Sequence, residues 1–274
     1  IEIVMRTLPA VLIAGNTVVV KPSERAPFAV RRLIELLELP PGVVNVLMGD
    51  GNSGKPLVGH AEVDLIIHTG SVGSGRDIAA ISGAMLRPAV LELGGKDPVI
   101  VDSGVDIEWA ADLVAFGSFI NTGQLCTAIE RIYVVEDVAE EFINALVARA
   151  EGEVVGSGLD PATTVGPLID EAQRSIVQSH VDAAVKAGAT VRTGGAPAEG
   201  PGFYYPPTVL TNVTPEMEIM TNETFGPIAP VRVVSSIEEA VREANESSYG
   251  LAATVLTDRP EGVAAAAKLK AGTV

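Results

Sequence analysis

The chain has 274 residues, of which 47% are hydrophobic, enough apolar material for one large domain or two smaller ones with a substantial core. Nineteen Lys and Arg residues stand against 35 Asp and Glu residues, giving a formal net charge of -16. This charge repels nucleic acid and anionic membrane surfaces, so we expect neither as a partner.

Cysteine and histidine are scarce. The single cysteine, Cys126, excludes an internal disulfide framework and any multi-thiolate metal site, and it favours a reducing cytoplasm. His60, His68 and His180 are scattered without metal-ligand spacing, so we predict no metal and surface or packing roles for all three. No apolar run approaches the roughly 20 residues that span a bilayer.

Strand-like runs rich in β-branched residues alternate with helical patterns along the first half of the chain. The predicted strands are "NTVVVK" (16–21), "VVNVLM" (43–48), "VDLIIHT" (63–69), "AVLELGG" (89–95), "PVIVD" (98–102) and "RIYVV" (131–135). The predicted helices are one with Val30, Leu33, Leu36 and Leu37 on one face, one from about Gly75 and one from Asp106. This alternation predicts parallel sheets with helices on both faces.

The alternation resumes after Glu136 through "VRVV" (231–234) and "LAATVLT" (251–257), interrupted by a Gly- and Pro-rich loop at 194–207. Gly94-Gly95 follows a strand directly and is the best candidate for a crossing between two α/β domains. Ligands bind at the carboxyl ends of parallel strands, so four segments are candidates to converge on one crevice. They are Lys21–Glu24, Gly49–Lys55, Thr69–Gly75 and Glu92–Gly95.

The glycines of "VVNVLMGDGNSGKP" (43–56) fit two nucleotide-binding patterns. A phosphate loop needs Ser or Thr after Lys55, but Pro56 stands there with neither a hydroxyl nor a backbone N–H. Gly49, Gly51 and Gly54 match the Gly-x-Gly-x-x-Gly spacing of a dinucleotide site, although glycines between a strand and a helix are often only turn residues.

Three places are candidates for chemistry. Cys126 is either a small buried hydrophobe or a nucleophile, and no histidine near it in sequence supports a Cys-His hydrolase. Glu92 ends an apolar strand, where burial would raise its pKa and suit it to general base catalysis; the alternative is a strand-end salt bridge. Glu223 and Phe225 precede a Gly-Pro turn, and Phe225 equally fits a core position.

Four segments together resemble the NAD(P)-dependent aldehyde dehydrogenase superfamily in content, order and spacing. They are "AGNTVVVKPSE" (14–24), "LELGGKDPVIV" (91–101), "NTGQLC" (121–126) and "NETFGPIAPV" (222–231). The resemblance implies a three-layer αβα fold, with a Rossmann-like NAD-binding domain (1–94) and a parallel-sheet catalytic domain (95–274). Family members are longer at both ends, so we expect both domains to be incomplete here and residues 1–274 alone to be poorly active.

The resemblance implies oxidation of an aldehyde to a carboxylic acid. Cys126 would be the nucleophile, attacking the aldehyde to form a thiohemiacetal whose oxyanion is bound in part by the Cys126 backbone N–H. Hydride then leaves for the nicotinamide. Glu92 would deprotonate the water that hydrolyses the remaining thioester.

The resemblance also assigns cofactor residues. Lys21 and Glu24 would bind the adenosine ribose hydroxyls, and Gly54 would lie on the adenine side. A carboxylate at the ribose disfavours a 2′-phosphate, so we expect NAD, with NADP left open. The remaining matches are Gly70, Ser71 and Gly75 of "GSVGSG" at the pyrophosphate, and Leu93, Glu223 and Phe225 at the nicotinamide ribose and ring.

Ser74 departs from the family pattern, which has a bulky aliphatic residue there. For the full-length protein the resemblance implies a small-molecule aldehyde as substrate, of unspecified identity, and a homodimer or homotetramer. Two alternatives stay open: a thioesterase or amidase-like hydrolase that uses Cys126 and Glu92 without a dinucleotide, and a nucleotide-binding pseudoenzyme or assembly fragment.

Overall fold

The computed structural model describes residues 1–274, which form two compact units, 1–93 and 94–274. Unit 1 contains four helices and four short strands. In chain order they are α1 (Glu2–Ile13), β1 (Val18–Val20), α2 (Pro27–Leu36), β2 (Val44–Val46), α3 (Gly51–Val58), β3 (Ile66–Thr69), α4 (Val72–Ala84) and β4 (Ala89–Glu92). Strands β1 and β2 form one parallel pair, and β3 and β4 form another.

Each predicted strand of unit 1 is present, in shorter form. Helix α4 begins at Val72 instead of about Gly75, because the Ser71 side chain caps the helix by accepting a hydrogen bond from Ser74 N–H. The predicted apolar face of α2 is only partly correct: Val30 is buried, whereas Leu36 is 60% exposed at the last helical position.

Unit 2 has six strands, which form one sheet, and six α-helices. The elements are β5 (Asp97–Val101), α5 (Ile107–Phe119), β6 (Ile129–Val135), α6 (Glu136–Gly152), α7 (Glu171–Lys186), β7 (Thr190–Thr193), β8 (Thr208–Thr211), α8 (Glu218–Thr221), β9 (Ile228–Val234), α9 (Ile237–Asn245), β10 (Thr254–Leu256) and α10 (Pro260–Ala266). The strand order is β10-β5-β6-β9-β8-β7.

All neighbours in this sheet are parallel except β7, which runs antiparallel to β8. The sheet is therefore parallel, as predicted, and the edge strand β7 is an addition that the sequence pattern does not predict. Strand β7 is antiparallel because the Gly- and Pro-rich loop at 194–207 returns the chain directly from β7 into β8 without a crossover helix.

The sheet of unit 2 is covered on both faces, as predicted. Val99 and Val101 of β5 pack into one apolar cluster with α5 and α6, while Ile100 between them packs into a second cluster with α7 and α9. This alternation is the period of two that a strand imposes on its side chains. No helix in the structure is both long enough and apolar enough to cross a bilayer.

Candidate active site

The carboxyl ends of β1 and β2 hold Lys21 and the turn before α3. Lys21 Nζ donates hydrogen bonds to the carbonyl oxygens of Pro22 (2.7 Å) and Gly49 (2.9 Å). A Cβ atom on Gly54 would lie 3.4 Å from Lys21 Cδ, so the lysine stem packs along α3. The Glu24 carboxylate is exposed and lies 3.8 Å from Lys21 Nζ. The structure thus brings together Lys21, Glu24 and Gly54.

This geometry distinguishes the glycines of "GDGNSGKP". Gly49 has a φ of +139° and forms the turn, whereas Gly51 and Gly54 lie within α3. The side chain of Asp50 caps the helix by accepting a hydrogen bond from Asn52 N–H at 2.9 Å. An acidic cap at this N-terminus disfavours phosphate, so the Gly-x-Gly-x-x-Gly spacing reflects turn and helix packing.

The segment "GSVGSG" lies at the carboxyl ends of β3 and β4. Gly70 N–H donates to the carbonyl oxygen of Glu92 at 3.0 Å, which ties the segment to the end of β4. A Cβ atom on Gly75 would lie 2.5 Å from Leu93 Cδ2, so the helix packs on Leu93 at a spacing that only glycine permits. Ser71 is exposed at the start of α4, where helix N–H groups favour an anion.

Ser74, the departure from the family pattern, joins a polar cluster. Its hydroxyl donates to the Ser71 carbonyl oxygen at 2.9 Å and lies 2.9 Å from His68 Nε2. The His68 ring covers Gly70, where a Cβ atom would lie 2.8 Å from Nε2. Burial, and then the charge of Lys21, lower the pKa of His68. The sequence alone predicts only a surface or packing role for His68. Its contact with Ser74 and Gly70 becomes visible only when β3 and α4 are placed in three dimensions.

Glu92 lies at the end of β4, but its side chain is exposed. The expectation that this side chain is buried is therefore wrong. The physical reason is the alternation of side chains along a strand: Ala89 and Leu91 lie on the half-buried face of β4, whereas Val90 and Glu92 lie on its exposed face. Such a carboxylate is accessible to water.

Cys126 follows a strained turn at the end of α5. Asn121, Thr122 and Gly123 have φ values of 51°, 62° and 67°, three successive left-handed positions. Left-handed conformations of residues other than glycine persist only where neighbouring contacts fix them. Here Thr122 Oγ1 donates to the Gly166 carbonyl oxygen at 3.1 Å. The turn ends the helix and places Cys126, which is half-buried, ahead of β6.

Two glycine contacts bind the cysteine loop to other motifs of unit 2. A Cβ atom on Gly95 would lie 2.2 Å from the carbonyl oxygen of Cys126, and one on Gly123 would lie 2.1 Å from that of Gly226. No side chain fits either place. The end of "LELGG", the "NTGQLC" loop and the "NETFGP" segment therefore meet at backbone contact distance.

Glu223 also contacts the Gly94-Gly95 segment. Its Oε1 accepts a hydrogen bond from Gly95 N–H at 3.0 Å, and a Cβ atom on Gly94 would lie 2.4 Å from its Oε2. Burial raises the pKa of Glu223. Phe225 is half-buried with a φ of +54°, so it is not an ordinary core residue.

Beneath Glu223 and Phe225 lies a buried charged pair that sequence reasoning missed. Lys96 Nζ lies 2.6 Å from Glu130 Oε2. The two residues are 34 positions apart, and no local pattern pairs them.

No group of three or more His, Cys, Asp and Glu side chains in the chain is arranged to hold a metal ion.

Comparison with known proteins identifies the family. The model of the aldehyde dehydrogenase family matches residues 1–274. Lactaldehyde dehydrogenase of Escherichia coli strain K12 is 38% identical over 260 residues, which cover 93% of this chain and 54% of the relative. The 3,6-anhydro-alpha-L-galactose dehydrogenase of Streptomyces coelicolor is 41% identical over 265 residues, covering 94% of this chain and 54% of the relative.

Solved structures agree. The crystal structure of lactaldehyde dehydrogenase from Escherichia coli superposes with a TM-score of 0.95 at 38% identity, covering 99% of this chain and 58% of that one. Betaine aldehyde dehydrogenase from Staphylococcus aureus, in complex with NAD+, superposes with a TM-score of 0.88 at 36% identity, covering 94% of this chain and 53% of that one. The chain spans about half the length of the curated relatives it matches. It belongs to the aldehyde dehydrogenase family.

Proposed function

We propose that the protein is an NAD(P)-dependent aldehyde dehydrogenase that oxidises an aldehyde to a carboxylic acid through a thioester on Cys126. The observation that carries the proposal is the cysteine loop. Its left-handed turn and its glycine contacts hold the loop that carries the one thiol of the chain against Gly226, which directly follows Phe225. Membership of the family supplies the reaction class.

The residues of unit 1 fit the adenosine and phosphate part of NAD. The exposed Glu24 carboxylate is an acceptor suited to ribose hydroxyls, and Lys21 lies beside it. The N-terminus of α4, preceded by Gly70 and Ser71, offers N–H groups to a pyrophosphate. We propose NAD as the preferred cofactor because Glu24 repels a 2′-phosphate. NADP is the alternative cofactor, since the similar structure of a 3,6-anhydro-L-galactose dehydrogenase was solved in complex with NADP.

The residues of unit 2 fit the nicotinamide ribose. Glu223 keeps Oε2 for a ribose hydroxyl while Oε1 accepts from Gly95 N–H, and Phe225 lies two residues further along. We propose a cofactor domain over residues 1–94 and a catalytic domain over residues 95–274, a boundary one residue later than the one between the two compact units. Leu93 would contribute its backbone carbonyl at the nicotinamide, as the family resemblance implies.

Two side chains carry the proposed covalent chemistry. The Cys126 thiolate adds to the aldehyde carbon, and its backbone N–H stabilises the oxyanion of the resulting thiohemiacetal. When bound, the cofactor supplies the hydride acceptor. Glu92 then removes a proton from water, which attacks the thioester and releases the acid while Cys126 leaves as thiolate. The exposure of Glu92 supports this role, because its carboxylate is reachable by water.

We further propose a cytoplasmic location and a homodimer or homotetramer. The single cysteine suits a reducing compartment. The oligomer is what the family resemblance implies for the full-length protein, and sedimentation would distinguish dimer from tetramer.

The test is a panel of aldehydes, including lactaldehyde and betaine aldehyde, offered with NAD or NADP to the naturally expressed protein that carries this chain. We expect the near-ultraviolet absorbance of reduced cofactor to appear with at least one aldehyde, and to be abolished in Cys126→Ala. A nitrophenyl ester without cofactor is the parallel arm. Ester hydrolysis with no cofactor reduction for any aldehyde would instead support the hydrolase.

A further inference from the structure

The feature of interest is the Glu130 carboxylate, which lies under the segment of Glu223 and Phe225. The Glu130 and Lys96 side chains are 4% and 0% exposed, and Lys96 Nζ lies 2.6 Å from Glu130 Oε2. Neither residue belongs to the sites already assigned. Buried ion pairs can often be replaced by apolar residues without loss of stability, so stability alone does not account for this one.

Glu130 also binds the backbone of the segment. Its Oε2 accepts a hydrogen bond from Thr224 N–H at 2.7 Å, and its Oε1 accepts one from Phe225 N–H at 2.8 Å. Hydrogen bonds to an ionised acceptor are about twice as strong as neutral ones. One carboxylate therefore fixes two successive peptide groups.

The carbonyl side of the same two residues is held as well. Gln173 Nε2 donates to the carbonyl oxygens of Thr224 (2.9 Å) and Phe225 (3.1 Å). Lys96 Nζ lies 3.2 Å from the Thr224 hydroxyl, which lies 3.1 Å from His180 Nδ1. The N–H and C=O groups of Thr224 and Phe225 thus all bind side chains of the surrounding scaffold.

This clamp explains the conformation of Phe225. Its φ of +54° is a left-handed value, which a residue with a Cβ keeps only when its surroundings fix it. Glu223, one residue before Thr224, is aimed at Gly95 N–H by the same stretch of backbone. The orientation of both Glu223 and Phe225 depends on how Thr224 is held.

We propose that Glu130 is a positioning residue for nicotinamide binding: its carboxylate, neutralised by Lys96, holds the backbone that presents Glu223 and Phe225 to the nicotinamide ribose and ring. This role rests on the proposed function. Glu130 does not itself touch the cofactor. It acts through the two N–H groups.

The test separates the two halves of the cofactor. NAD requires both, whereas AMP engages only the adenosine residues of unit 1. Two variants of the naturally expressed protein are used: Glu130→Asp, which keeps the charge but withdraws the carboxylate from the N–H groups, and Lys96→Met/Glu130→Gln, which removes both charges. Glu243→Gln is the matched control, because Glu243 is a buried carboxylate of unit 2 paired with Arg232 and remote in sequence from the segment.

Calorimetry should give a dissociation constant for NAD that is about 10–100-fold weaker in both Glu130 variants, the range typical of losing the hydrogen-bonding partner that orients a metal ligand, a comparable positioning role. The constant for AMP should stay within about twofold of wild type, and the control should bind both ligands normally. Thermal unfolding of each variant confirms that the protein is folded.

Two results would overturn the role of Glu130. The first is NAD affinity within about twofold of wild type in both variants; the second is equal weakening of NAD and AMP, which marks a general structural defect. If Glu130→Asp fails to fold, Lys96→Met/Glu130→Gln decides by the same comparison. If neither folds, Glu130 is a stability residue and the positioning role is refuted. If wild type itself binds neither NAD nor NADP, the proposed function fails first, and this role fails with it.

Discussion

Asp97, the first residue of β5, offers a quantitative test of the electrostatics around the cysteine loop. It is 4% exposed; its Oδ1 accepts a hydrogen bond from Ala252 N–H at 3.1 Å, while its Oδ2 has no hydrogen-bond partner within the chain. Burial raises the pKa of Asp97 from 3.8 to about 7, against the opposing effects of the Ala252 hydrogen bond and the Arg131 charge.

The sign of the effect on stability follows from proton binding. Between pH about 4 and about 7 the folded protein holds a proton on Asp97 that the unfolded chain has released, so stability falls as pH rises through this window. At about 1.36 kcal/mol per pKa unit, the full shift corresponds to about 4 kcal/mol. This figure is the upper limit of the stability that is lost as pH rises through the whole window.

The perturbation is Asp97→Asn, which keeps an oxygen for Ala252 N–H but cannot ionise. We expect the free energy of unfolding of this variant, minus that of wild type, to increase between about pH 5 and pH 8 by up to about 3 kcal/mol, since the folded protein releases its proton about two pH units above the start of this range. Urea denaturation of the naturally expressed protein at a series of pH values measures this difference. A difference that stays constant across the series would refute the raised pKa.

Asp102→Asn is the control. Asp102 is a buried carboxylate bound by Arg259 and by Thr257 Oγ1, the latter at 2.8 Å. Its replacement breaks an ion pair, so we expect this variant to be less stable than wild type throughout the same pH series, with no relative gain as pH rises.

Three further predictions concern binding and catalysis. Glu24→Ser should shift selectivity toward NADP by roughly 1–3 kcal/mol, measured as the ratio of the two kcat/KM values, because a charge facing the 2′-phosphate is removed; a wild type that already prefers NADP contradicts this. Gly123→Ala should abolish turnover or folding, because its Cβ would lie 2.1 Å from the Gly226 carbonyl oxygen; normal kinetics would show that the loop can shift. Cys126→Ala should lower turnover by about 10³ or more and remove inactivation by iodoacetamide, and activity near wild type would assign the nucleophile elsewhere.

Much of unit 2 was predictable because its signals are local. The apolar run at β5 indicates a strand buried on both faces, and all five residues of β5 are buried. Asp106 was predicted to start a helix, and its side chain caps α5 by accepting from Trp109 N–H at 3.1 Å. The motif glycines were informative because several of them fill positions without room for a side chain.

What could not be predicted depends on contacts between distant positions. The pairing of Lys96 with Glu130 leaves no periodic pattern, since a buried charge looks like a surface charge in sequence. The contact of His68 with Ser74 requires the end of β3 and the start of α4 to be placed in three dimensions. The exposure of Glu92 follows from which face of β4 is covered by other elements, and an apolar run does not specify that face.

The most direct test of the account is a single-turnover experiment on Glu92→Gln with NAD and an aldehyde that the wild-type protein oxidises. The reaction is quenched rapidly, and the Cys126 peptide is analysed by mass spectrometry. If Cys126 carries the acyl group and Glu92 activates the hydrolytic water, reduced cofactor should form in a rapid burst, steady turnover should collapse, and the acyl mass should accumulate on Cys126. Reduced cofactor formed in the burst with no acyl mass on Cys126 would contradict the account.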